Sequence, residues 1–119
     1  MTQALPSTMS YPEQLEKIVA NMGKLQRAQP ATLGAFDALH KAAAAPGALD
    51  TKTKEILALA IAVAARCDGC IAFHTHDALE AGATRAEISD ALGVAVMMGG
   101  GPSVVYATHV MDAMDQFGA

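Results

Sequence analysis

The chain has 119 residues, a length suited to one domain, with a formal net charge of −4 and a pI of about 5.4. That acidic balance and eight scattered Lys and Arg argue against a nucleic-acid surface, and no run approaches the roughly 20 apolar residues needed to span a bilayer. Apolar residues make up 52% of the chain, more than so small a domain is expected to bury alone, so a homo-oligomer is expected to take up the excess.

In chain order, residues 1–9 are expected to form a flexible N-terminal segment. The opening MTQALPSTMSYPEQ has neither a basic n-region nor an apolar core, so no signal peptide is expected and the cytoplasm is the default compartment. Six helices and no strands follow, because no period-2 run is bounded by turn residues. Ser10 and Glu13 form a capping box that opens the first helix, whose apolar stripe is Leu15, Ile18, Val19, Met22 and Leu25. Gln29-Pro30 breaks it. The second helix carries Leu33, Phe36 and Leu39 and stops at Pro46-Gly47.

Asp50 caps a third helix that is expected to run to about Arg66. Its segment Ile56 to Ala65 is apolar on every side and predicts a central, buried helix. The fourth helix starts near Cys67 and ends at Gly82, a natural C′ residue. Thr84 and Glu87 form a second capping box and open the fifth helix. Gly99 to Gly101 end it as a close-packed hinge, since neither a P-loop nor a dinucleotide fingerprint is present. Pro102 suits the first turn of the sixth helix, whose apolar face reads as Val104, Ala107, Met111 and Met114.

Chemistry concentrates in one constellation: Glu55, Cys67-Asp68-Gly69-Cys70 and His74. The chain's two cysteines close too short a loop to staple a fold, and in a cytosolic setting such a pair reads as redox or metal chemistry. Taking about 100° per residue, Cys67, Cys70 and His74 share one helix face with Ala78 and Ala81, and that face should turn inward; His76 falls on the opposite side. Residues three apart on a helix have Cα atoms about 5 Å apart, within the range of a disulfide. The helix N-terminus favours a thiolate, a histidine can take its proton, and a carboxylate can orient that histidine. The helix start favours Cys67 as nucleophile and the i+4 imidazole favours Cys70; we assign attack to Cys70 and resolution to Cys67. Direct contact between Glu55 and His74 requires a favourable crossing angle or a bridging water.

Glu, eleven residues, Cys-x-x-Cys, three residues, His resembles the signature of the AhpD-like, carboxymuconolactone decarboxylase superfamily. The flanks TKTKEILALAIAVAARCDGCIAFH, EAGATRAEISDALGVAVMMGGGP and YATH are similar to its small members, over roughly residues 30 to 117. The resemblance implies an all-α fold over residues 1–119, assembled as trimers or hexamers. It also implies reduction of a hydroperoxide, or exchange of a disulfide, by Cys70 and Cys67. The implied reductant is a dithiol, such as a lipoylated carrier protein, and Glu55 and His74 relay the proton off Cys70 through water. No metal or organic cofactor is expected. AhpD has a histidine immediately before its second cysteine, where this chain has Gly69.

Competing readings are two buried structural cysteines, or a metal site on Cys67, Cys70 and His74 that lacks an obvious fourth ligand. A non-catalytic redox-responsive oligomer uses the same residues. A decarboxylase-type lyase is disfavoured because the true decarboxylases of the superfamily do not rely on a Cys pair. His40, His76 and His109 read as surface or interface histidines, with His76 able to reach a neighbouring subunit. Met97, Met98, Met111 and Met114 read as core or interface fillers.

Overall fold

The computed structural model describes residues 9–119, so most of the expected flexible segment, residues 1–8, lies outside the described residues. The described chain is all-α: α1 (Tyr11–Ala28), α2 (Pro30–Ala44), α3 (Thr51–Ala64), α4 (Asp68–Glu80), α5 (Arg85–Gly99) and α6 (Gly101–Gln116). No helix among the described residues is long and apolar enough to cross a membrane.

The helix boundaries follow local chemistry. Ser10 and Thr84 each accept a backbone N–H from a Glu three residues on, and that Glu carboxylate accepts the cap's own N–H. The hydrogen bonds within its box hold the Glu13 carboxyl below the usual carboxylate range. Asp50 caps α3 through Thr53 N–H at 2.8 Å, which lowers its own carboxyl in the same way. Between α5 and α6, Gly100 has φ +69° and a Cβ at Gly99 would overlap Ser103 Oγ. The expected close-packed hinge is therefore built on two glycines for two different reasons, conformation and space.

The core is formed almost entirely by α3 to α6. Leu59 and Val63 of α3 pack with Ile71 of α4, Ile88 of α5, and Val110 and Met114 of α6. α1 adds only Tyr11 as a buried residue and α2 adds none.

Several expected apolar faces sit differently. α3 buries one side, Glu55, Leu59, Ala62 and Val63, but leaves Leu57 and Ile61 exposed at 47% and 66%. An apolar circumference needs neighbours all round, and this chain supplies them on one side only. α6 buries Ser103, Val110, Ala113 and Met114, whereas Val104 and Met111 lie open. Composition could not reveal that α6 is turned away from the Val104–Met111 stripe. Val19, Met22 and Leu25 of α1 and Phe36 and Leu39 of α2 are likewise exposed. Of the four methionines read as fillers, Met114 is in the core, and Met97, Met98 and Met111 are exposed.

Candidate functional site

The site begins at the turn between α3 and α4. α3 ends two residues earlier than expected, because Ala65 and Arg66 form a Schellman motif: Cys67 N–H donates to Ala62 O and Arg66 N–H to Val63 O. Arg66 takes the left-handed conformation this requires, φ +58°, where glycine is the usual residue. Cys67 is thus fixed twice. Its N–H closes α3, and its Sγ caps α4 by accepting Cys70 N–H at 3.1 Å.

Cys67 and Cys70 are joined as a disulfide, with Cα atoms 5.2 Å apart, as the spacing predicts. The buried face of α4 is Ile71, Ala72, Thr75 and Ala78. The sulfurs and His74 do not sit at its centre, as expected, but half-buried along its edge. The purely apolar side chains Ile71 and Ala72 take the core side of the helix. This rotation opens the reactive face onto a pocket of about 320 Å³.

That pocket is apolar beside the disulfide. Ile18 and Met22 of α1, Phe36 of α2 and Phe73 of α4 line it with Cys67, Cys70 and His74. Neither Phe73 nor the α1 residues were singled out as site residues from sequence; Phe73 directly precedes His74, but Ile18 and Met22 arrive only through packing. Gly69 has a physical explanation here. A Cβ at that position would lie 3.2 Å from Ile18 Cδ1, so α1 occupies the space a larger side chain would need.

Glu55 and His74 meet directly. His74 Nδ1–H donates to Glu55 Oε1 at 2.8 Å, with the carboxylate side chain only 8% exposed. The geometric reservation about this pair is resolved by the close packing of α3 on α4. Donation from Nδ1 leaves the other ring nitrogen, Nε2, with a lone pair, so the pair presents a proton acceptor at the pocket.

The three remaining histidines divide. His76 is on the outer side of α4, as expected, where its Nδ1–H donates to Asp77 at 2.9 Å. His109 is more than a surface residue: it is half-buried, and its Nδ1–H donates to Asp68 Oδ1 at 2.8 Å. Tyr11 donates its hydroxyl to the same oxygen at 2.9 Å, so α1 and α6 both hold the turn between the cysteines. Burial first, and then the bond to Asp68, raise the Tyr11 phenol above its ordinary range. His40 is exposed, yet its ring stacks on His74 at a centroid distance of 6.1 Å. Donor atoms of His40, Glu55 and Asp77 all lie within 4.8 Å of one another. No sequence signal links these three; they come from three different helices.

The sequence and fold have counterparts among known proteins. The model of the carboxymuconolactone decarboxylase family matches residues 30–113. The chain is 38% identical over 112 residues to an uncharacterised protein of Cupriavidus necator, a match covering 94% of this chain and 99% of that one. It superimposes with a TM-score of 0.89 and 40% identity on the crystal structure of apo-lpg0406, a carboxymuconolactone decarboxylase family protein from Legionella pneumophila, covering 92% of this chain and 97% of that one. A Thermotoga maritima protein of the same family, described as a candidate for an antioxidative response, aligns with a TM-score of 0.68 and 31% identity over 72% of this chain and 89% of its own.

Proposed function

Because the chain belongs to the carboxymuconolactone decarboxylase family, we propose that it is a thiol oxidoreductase of the AhpD type, reducing hydroperoxides through Cys67 and Cys70. The observation that carries this reading is the Cys67–Cys70 pair sharing one pocket with an imidazole that is hydrogen-bonded to a buried carboxylate.

In the reduced protein, His74 Nε2 takes the proton of Cys70, with Glu55 holding the ring in the accepting tautomer. The thiolate attacks the terminal oxygen of the hydroperoxide. The O–O bond breaks, Cys70 becomes a sulfenic acid, and the departing alkoxide takes the proton from His74 and leaves as an alcohol. Cys67 then attacks the Cys70 sulfur and water leaves, giving the disulfide. A dithiol donor returns two electrons by exchange and departs as its own disulfide. Cys67 is suited to resolution because the Cys70 N–H and the α4 N-terminus stabilise its sulfur as a thiolate.

The apolar walls favour an organic hydroperoxide over hydrogen peroxide, and a slender dithiol arm such as that of a lipoylated carrier as reductant. Exposed Leu57 and Ile61 on α3, Met97 and Met98 on α5 and Val105 on α6 support a homo-oligomer, and the family resemblance suggests a trimer or hexamer; sedimentation velocity reads the assembly. The test of function is a thiol titration of the reduced protein before and after one equivalent of cumene hydroperoxide. Loss of two thiols per chain, restored by dihydrolipoamide and absent in Cys70→Ser, is the expected result. Two thiols that do not react would sink the proposal. Oxidation without catalytic turnover would move the protein to the class of redox-responsive modules.

A further inference from the structure

Glu55 engages His74 through one carboxylate oxygen only, and among the described residues no donor reaches the other. That second oxygen reaches solvent, so a nearly buried carboxylate keeps one oxygen open to a cation. Two further groups converge on it. His40 of α2 and Asp77 of α4 bring donor atoms that lie, with that of Glu55, all within 4.8 Å of one another. The site is open on its outer side, since His40 is exposed and Asp77 half-buried.

We propose that His40, Glu55 and Asp77 form a binding site for a divalent first-row transition ion, with zinc as the type case. One imidazole nitrogen and two carboxylate oxygens match the donors zinc takes, and two carboxylates balance a 2+ charge. Zinc bonds of about 2.0–2.2 Å place ligand atoms roughly 3.4 Å apart, so donors within 4.8 Å must close by at most about 1.4 Å. His40 and Asp77 carry their donors on side chains with room to turn on the solvent side, and Glu55 can stay where it is. The His74 N–H then supports a ligating carboxylate from behind, the usual arrangement around a metal site. Asp77 is similarly supported by His76. Water fills the remaining coordination positions.

The ion has a structural consequence that is independent of any activity. α2 contributes no buried side chain, and a cation shared by α2, α3 and α4 ties it down. It has a chemical consequence only if the proposed thiol cycle holds: an ion on Glu55 draws charge from the carboxylate that orients His74, so the imidazole becomes a weaker base and attack by Cys70 slows.

The test is calorimetric titration of ZnCl2 into the disulfide form, in which neither cysteine offers a thiolate. No turnover is involved, so failure of the hydroperoxide reading leaves the measurement intact. One ion per chain is expected, with affinity reduced tenfold or more in both His40→Ala and Asp77→Asn. Glu80→Gln, which removes the exposed carboxylate 3.9 Å from His76, and His109→Ala, which removes the half-buried pairing with Asp68, should stay within twofold of the parent. Zinc should also raise the Tm of the parent but not of His40→Ala, whose exposed site keeps the metal-free fold intact. Absence of binding at millimolar zinc would overturn the proposal. So would full affinity in His40→Ala, or an affinity lost in Glu80→Gln and kept in Asp77→Asn.

Discussion

The half built from α3 to α6 and the hairpin of α1 and α2 are equally helical and very differently held. The first contains every fully buried side chain of the described core. The second is amphipathic in sequence but leaves Val19, Leu25, Phe36 and Leu39 in solvent, with Tyr11 as its one buried anchor. The pocket lies on the seam between them. Its reactive groups belong to the packed half, where rigidity fixes the Glu55–His74 geometry, and most of its apolar wall belongs to the hairpin. A precisely placed Glu–His pair and an adaptable wall make opposite demands on packing, and the chain meets them with separate regions.

The largest effect should come from testing packing directly. Ile71→Ala, at 0% exposure in the packed half, should cost about 2–5 kcal/mol in denaturant unfolding. Leu39→Ala, in the hairpin, should stay within about 0.5 kcal/mol in the monomer because the side chain is already hydrated. Comparable losses at the two positions would show that α2 is held as tightly as the core.

Rates should divide along the same seam. His74→Gln is expected to slow hydroperoxide oxidation of the thiols by about 100-fold near neutral pH, with a smaller deficit at alkaline pH, where hydroxide replaces the base. Phe36→Ala should instead raise KM for a bulky organic hydroperoxide and leave kcat nearly unchanged. A Phe36 variant that loses kcat would place the hairpin wall in the chemical step.

The smallest expected effect probes the side-chain hydrogen bond that ties α1 to the start of α4. Tyr11→Phe removes a hydrogen bond to Asp68 and should cost about 1 kcal/mol. It also carries a pH signature. The folded state keeps the Tyr11 proton where an unfolded tyrosine, with its ordinary value of 10.0, releases it. Stability therefore falls as pH rises above that value, and Tyr11→Phe should flatten this alkaline limb. An unchanged limb would mean that Tyr11 does not stay protonated in the fold.

What could be read from the sequence was local. Ser10, Asp50 and Thr84 announced their helices because a cap acts within three residues. The Cys67–Cys70 spacing announced its disulfide because three residues of helix fix the Cα separation. Gly99 and Gly100 announced a hinge for the same reason. Burial was less legible: α3 looked apolar all round, yet Ile61 faces outward, since composition states what a helix tolerates and not what surrounds it.

The sequence by itself therefore determined the six helices, the disulfide-compatible spacing of Cys67 and Cys70 and the family of the fold. Only the tertiary structure decided that Glu55 touches His74, that Ile18 stands where Gly69 leaves room, that Asp68 is held by Tyr11 and His109, and that His40 joins the site. Each of these joins residues on different helices, or a helix and the turn that begins one. Such contacts depend on crossing angles and axial offsets, which are set by side-chain interdigitation over the whole core rather than by any window of the sequence.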